Sequence, residues 1–115
     1  MPKSNGHYSQ CIEHNGVLYL SGQLPFNPET KSMSEGIVKQ TEQVLRNVER
    51  ILTEAGSAKD KVLQVRIYIP NVEDWGTVNS VYAEFFGNHK PARCVIPSRE
   101  LHYGAKIEVE VTAFL

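Results

Sequence analysis

Between Ala105 and Phe114 the chain alternates at every step. Ile107, Val109, Val111 and Ala113 fall one way, and Lys106, Glu108, Glu110 and Thr112 the other. A period of two belongs to a β-strand, and a strand with one apolar side belongs to a sheet covered on one face. The stretch Lys61 to Ile69 agrees. There Leu63, Val65, Ile67 and Ile69 make an apolar face opposite Val62, Gln64, Arg66 and Tyr68, and Pro70 ends the run. The fold is therefore expected to be a sheet with its helices on one side.

Two segments can supply that cover. Ile37, Thr41, Val44, Leu45, Val48, Ile51, Leu52 and Ala55 recur at steps of three and four, which predicts a helix from about Ile37 to Ala55. Gly56 is placed to take the left-handed conformation that stops it, and Glu42 and Arg46 are spaced to pair on its outer side. A second helix is predicted from about Val72 to Phe86. Asn71 can cap it, and Trp75, Val78, Tyr82, Phe85 and Phe86 line one side. Tyr8 to Gly22 reads as a hairpin turned at Asn15-Gly16, the favoured pair for a type I′ turn. His102-Tyr103-Gly104 predicts a turn before the last strand. The expected order is β-β-α-β-α-β-β, an α+β domain spanning residues 1–115 with two helices on one face of a four- or five-stranded sheet.

Composition narrows the function classes. A formal net charge of -1 with no block of like charge lacks the footprint of a general nucleic-acid or anionic-membrane binder. No apolar run approaches a membrane span, and the opening residues hold no apolar signal stretch. Cys11 and Cys94 lie far apart with no Cys-x-x-Cys spacing, which fits two free thiols in a reducing cytoplasm. The expected location is cytoplasmic. The four histidines are scattered without ligand spacing, so no metal is expected.

The chemistry-bearing candidate is Arg93, in Lys90-Pro91-Ala92-Arg93-Cys94-Val95-Ile96. Pro91 ends the helical pattern and a strand follows. Strand parity puts Arg93, Val95, Pro97 and Arg99 on one face and Cys94, Ile96 and Ser98 on the other. Arg93 is expected on the polar face with Gln64, Arg66, Tyr68, Glu108, Glu110 and Thr112. A guanidinium keeps its charge and fits a carboxylate with two prongs. Enclosed, Arg93 would be a receptor for a small organic acid; open, it would be surface charge. Glu108 can share a cavity with it only if their strands adjoin, and beside a guanidinium it would keep a low pKa and orient water. Asn79 is poorly suited to mid-helix, so a tertiary hydrogen bond is expected there.

Several fragments, in order, resemble the YjgF/RidA family of reactive-intermediate deaminases. Gly6-His7-Tyr8-Ser9-Gln10 is similar to its Gly-Pro-Tyr-Ser-Gln opening, with His7 where proline is usual. Ser21-Gly22-Gln23 followed by Pro25 is similar to its Ser-Gly-Gln-x-Pro. Gln43 to Leu52 with Asn47 resembles its first helix, and Val78-Asn79 with Tyr82 and Phe85-Phe86 its second. Pro91-Ala92-Arg93 and Ile107-Glu108-Val109-Glu110 resemble its most diagnostic tail. The resemblance implies a chorismate-mutase-like fold and a homotrimer with pockets between subunits. It also implies cofactor-free hydrolysis of 2-imino acids or their enamines to 2-oxo acids and ammonia.

By that resemblance Arg93 holds the substrate carboxylate and Glu108 positions or activates water. Tyr8, Ser21, Gly22 and Asn79 shape the pocket, and main-chain groups at Val95 can contribute. Relatives often carry a cysteine where this chain has Val95; here the cysteine is Cys94, which parity turns away. Two other readings remain: a non-catalytic trimeric module that binds small carboxylates or holds unfolded clients, and a ribonuclease, which the charge balance disfavours.

Overall fold

The computed structural model describes residues 3–115. Five strands form one sheet in the order β1-β2-β5-β3-β4, with β1 Cys11–His14, β2 Val17–Gln23, β3 Val62–Ile69, β4 Ala92–Pro97 and β5 Glu108–Phe114. Helix α1, Ile37–Glu54, and helix α2, Trp75–Phe86, pack on one face. The β-β-α-β-α-β-β order is the one that the periodicity predicts.

Local chemistry accounts for the joints. Asn15 and Gly16 both take positive φ, 53° and 80°, as a type I′ turn requires. Helix α1 buries Thr41, Val44, Leu45, Val48, Ile51 and Leu52 along one stripe. It ends in a Schellman motif: Gly56 sits at φ 89° and donates to the Thr53 carbonyl, and the Ser57 N–H donates to the Leu52 carbonyl. The Asn71 side chain accepts from the Glu73 N–H at 3.0 Å and caps a 3-10 turn, Val72–Asp74, that leads into α2. Arg46 donates to Gln43 rather than to the expected Glu42.

The core lies between the helices and one face of the sheet. Val65, Ile67, Ile69, Val109, Val111 and Ala113 are all buried there. One parity expectation fails. Val62 is buried and Leu63 is 45% exposed, the reverse of the alternation. The β3–β5 register shifts between Val62 and Gln64, and one extra residue in a bulge swaps the faces before it.

Strands β3 and β4 run parallel, joined across α2, while every other pairing is antiparallel. This makes β4 an edge strand and places β3 between it and β5. Among the described residues no helix is long and apolar enough to cross a membrane.

Candidate active site: two separated half-sites

Arg93 is the second residue of β4, just beyond Pro91. In the β3–β4 ladder it pairs with Val65, whose side chain faces the helices. Paired residues share a face, so Arg93 also turns toward the helices. This corrects its expected place on the polar face. The polar side of β4 is held by Cys94, which pairs with Arg66.

Helix α2 receives the guanidinium. Arg93 Nη1 donates to Asn79 Oδ1 at 2.9 Å. Its Cζ lies 4.6 Å from the centroid of the Trp75 ring and 4.8 Å from that of Tyr82. Trp75, Asn79 and Tyr82 are spaced by four and then three residues, so they share one side of the helix. Ring faces attract a cation and an amide oxygen accepts its N–H, so the three groups fix the charge in one orientation. The mid-helix asparagine thereby finds its tertiary partner.

Tyr82 is buried, and burial pushes its phenol up to about 12 against the opposing pull of Arg93, so it stays a neutral hydroxyl. Its oxygen has no hydrogen-bond partner among the described residues. Val95, two residues beyond Arg93, is half-buried against the core. Arg93 itself is exposed at the open edge of the sheet.

Trp75 and Tyr82 meet the Arg93 guanidinium, although sequence reading assigned them only to the packed side of a helix. Their spacing about Asn79 was the signal that could have found them.

Glu108 opens β5 on the opposite, helix-free face, where it pairs with Tyr68. It is half-buried, and that burial raises its carboxyl above the ordinary range. His102 pulls the other way and Glu110 adds to the rise. The expectation of a depressed pKa is thus overturned, because no guanidinium of the kind invoked stands beside it. Glu110, next on that face, accepts a hydrogen bond from the Tyr68 hydroxyl and holds that phenol up at about 12.

Gly22 lies against Glu108. A Cβ built on Gly22 would sit 2.1 Å from Glu108 Oε2, so the carboxylate occupies space that only a glycine leaves free. The β2–β5 register shifts between Leu20 and Gln23, which places Ser21 and Gly22 in an irregular step of β2. Ser21 ties down the coil before β1: its Oγ donates to the Ser9 carbonyl at 2.6 Å and its N–H to the Gln10 carbonyl at 3.0 Å. Tyr8 precedes them in that coil, 48% exposed, and lines with Gly22 a cavity of about 860 Å³.

The predicted residues therefore form two clusters. Arg93, Asn79 and Val95 gather between β4 and α2. Glu108 and Gly22 meet on the other face, with Ser21 next to Gly22 in β2 and Tyr8 lining a cavity with it. β3 lies between β4 and β5, so the condition that the two strands adjoin is not met within one copy. Among the described residues no group of three His, Cys, Asp or Glu is placed to hold a metal ion.

Known proteins share this arrangement of elements. The chain is 39% identical over 114 residues to a RutC family protein of Aquifex aeolicus, covering 97% of this chain and 91% of that protein. It is 41% identical over 115 residues to the chloroplastic Reactive Intermediate Deaminase A of Arabidopsis thaliana, covering 99% of this chain and 62% of that longer one. The crystal structure of E. coli TdcF with bound serine superimposes with a TM-score of 0.95 at 28% identity, covering 99% of this chain and 92% of that one. The family model described as endoribonuclease L-PSP matches residues 1–115. The chain therefore belongs to the endoribonuclease L-PSP family, the group of the RutC, YjgF and RidA proteins.

Proposed function

We propose that this chain hydrolyses short-lived 2-imino acids, or their enamine tautomers, to 2-oxo acids and ammonia, without a cofactor, in clefts between three copies of itself. The observation that carries the reading is the grip on Arg93. A cation held by Asn79 and two aromatic rings, at a bare sheet edge, is prepared to bind a carboxylate brought to that edge. Its relatives include a protein named Reactive Intermediate Deaminase A.

Assembly answers the separation of the half-sites. The helix-free face of the sheet exposes Ile12 and Tyr19, 53% and 51% accessible, and β4 leaves its outer edge unpaired. A head-to-tail contact that laid the β4 edge of one copy against the β2–β5 face of the next would join Arg93 to the Glu108 of its neighbour. Such a contact closes into a ring when its rotation allows. Three copies make three equal clefts.

In that cleft Arg93 holds the substrate carboxylate, and Tyr8, Ser21, Gly22, Asn79 and the main chain at Val95 shape the space around it. Glu108 accepts a proton as water adds to the imine carbon. Protonation of the nitrogen then lets the C–N bond break, leaving the 2-oxo acid and ammonia. A carboxyl raised by burial suits that proton transfer better than one locked to a guanidinium. The free thiols Cys11 and Cys94 keep the cytoplasm as the proposed location.

A second reading has one observation behind it. The E. coli TdcF structure is described with bound serine, so a protein of this fold binds a small amino acid, which supports a binding module. A ribonuclease has the family's description behind it, but the net charge of -1 offers little to a phosphate backbone.

The deciding experiment generates a 2-imino acid in situ with a pyridoxal-phosphate dehydratase and follows ammonia release. The chain is expected to accelerate release, and Arg93→Ala is expected to lower kcat/KM by about 10- to 100-fold, the worth of a charge-assisted contact. Light scattering should find the trimer intact. Unaltered release in the presence of the chain would overturn the hydrolase and leave the binding module and the ribonuclease.

A further inference from the structure

The place of Glu108 decides where the rest of a substrate can go. Its carboxylate fills the space beside Gly22, and Gly22 also lines the cavity of about 860 Å³. A substrate whose reacting carbon meets Glu108 therefore has that cavity open to its side chain. Part of the wall is aromatic. Phe26 and Tyr103 both line it and pack edge to face, with ring centroids 5.3 Å apart.

Tyr103 is not there to fill the core, since it is 68% exposed. Its backbone stands at φ 62° and ψ 21°, a left-handed conformation that is unfavourable for a residue with a Cβ. Glycine or asparagine would adopt it more readily. A large ring kept in that conformation and mostly in solvent is not explained by folding, and such outliers collect where a ligand is held. Its partner is fixed from the other side. The buried Asn47 donates through Nδ2 to the Leu24 and Phe26 carbonyls at 3.1 and 2.8 Å. The Asn27 N–H donates to the Ser32 carbonyl at 2.9 Å and closes the loop behind Phe26. The two rings thus form a corner set by backbone geometry on both sides.

We propose that Phe26 and Tyr103 set the side-chain specificity of the site, and that the chain prefers 2-imino acids with an aromatic side chain to those with a methyl one. This rests on the hydrolysis proposed above. A substrate ring laid against the pair gains ring contacts and leaves water, whereas a methyl group offers little surface to either. The size agrees: a cavity of about 860 Å³ is of the class that holds drug-sized ligands, far more than a three-carbon acid fills.

The test makes the imines of alanine and of phenylalanine in turn with an amino-acid oxidase and catalase, and follows 2-oxo acid release with the full chain present. The kcat/KM for the phenylalanine imine is expected to be at least about tenfold the higher. Tyr103→Gly removes the ring and suits the left-handed backbone, so the protein should stay folded. It is expected to lower the ratio of the two kcat/KM values by about five- to tenfold. A ratio near one in the wild type, or one that Tyr103→Gly leaves unchanged, overturns the specificity wall while the hydrolase stands. If neither imine is hydrolysed faster, the hydrolase itself falls, and binding decides the wall. Phenylpyruvate, pyruvate and 2-oxoglutarate are then titrated while the ring signals of Tyr103, assigned by their loss in Tyr103→Gly, are followed. A Kd at least about tenfold lower for phenylpyruvate than for either other acid supports the wall. Equal values, or tighter 2-oxoglutarate through Lys3 and Lys31 of the same cavity, overturn it.

Discussion

The two half-sites are built on opposite principles. Arg93 is placed by what surrounds it: an amide oxygen and two rings, all on α2, meet one guanidinium. Glu108 is placed by what is missing, since its carboxylate fills the space that a side chain on Gly22 would take. The first arrangement adds attraction, and losing one contact leaves the others. The second removes an obstacle, and restoring it displaces the group outright. The arginine side should therefore tolerate substitution in steps, while the carboxylate side should fail abruptly.

Glu108→Gln tests the carboxylate side most severely. Removing a general base should lower imine hydrolysis by about 100-fold or more. The wild-type pH profile should fall on the acid side, with its midpoint above the ordinary carboxylate range because burial raises that group. In Glu108→Gln that limb should vanish. The stability effect has the opposite sense. A carboxyl whose folded pKa is raised stabilises fully below its unfolded pKa and loses that contribution as pH rises through the raised value. At neutral pH Glu108→Gln should thus leave thermal stability equal or slightly higher, and a large loss would refute the account.

Gly22→Ala comes next. The new methyl meets the far end of a flexible side chain, so folding should change by less than about 1 kcal/mol in urea titration. Activity should fall by up to about 100-fold, as misplacing a reacting group by an ångström can do. If stability and activity fell in proportion, the space beside Gly22 would be structural only.

On the arginine side Arg93→Lys keeps the charge but loses the planar fork. A drop of about tenfold in kcat/KM is expected, between wild type and Arg93→Ala. Trp75→Leu removes one of two rings and should cost about 0.5–1 kcal/mol, or two- to fivefold in KM with kcat retained. A loss from Trp75→Leu as large as that from Arg93→Lys would break the contrast between graded and abrupt.

Much of the fold was legible because period and punctuation are local. The alternation of β5, the stripe of α1, the Asn15-Gly16 turn and the stop at Gly56 each needed only neighbouring residues. Leu63 shows where this ends: a bulge shifts parity, and nothing in the alternation of Lys61 to Ile69 marks it. Arg93 shows a second boundary. Parity within β4 correctly grouped Arg93 with Val95 and Cys94 apart from them, but it could not say which group faced the helices. That depends on the register with β3, a long-range pairing. The same blindness hid the insertion of β3 between β4 and β5, and with it the distance between Arg93 and Glu108. Tyr82 was read as packing because an aromatic on a helix stripe usually is, and its ring serves both purposes.

The parallel crossover from β3 through α2 to β4 has one more consequence. The arginine and every side chain that holds it come from a single uninterrupted stretch, Trp75 to Arg93, next to the strand on which β4 docks. Contacts so close along the chain form early in folding. On the proposed reading, a newly made subunit would carry its acid-gripping tool already set before any second copy docked against it.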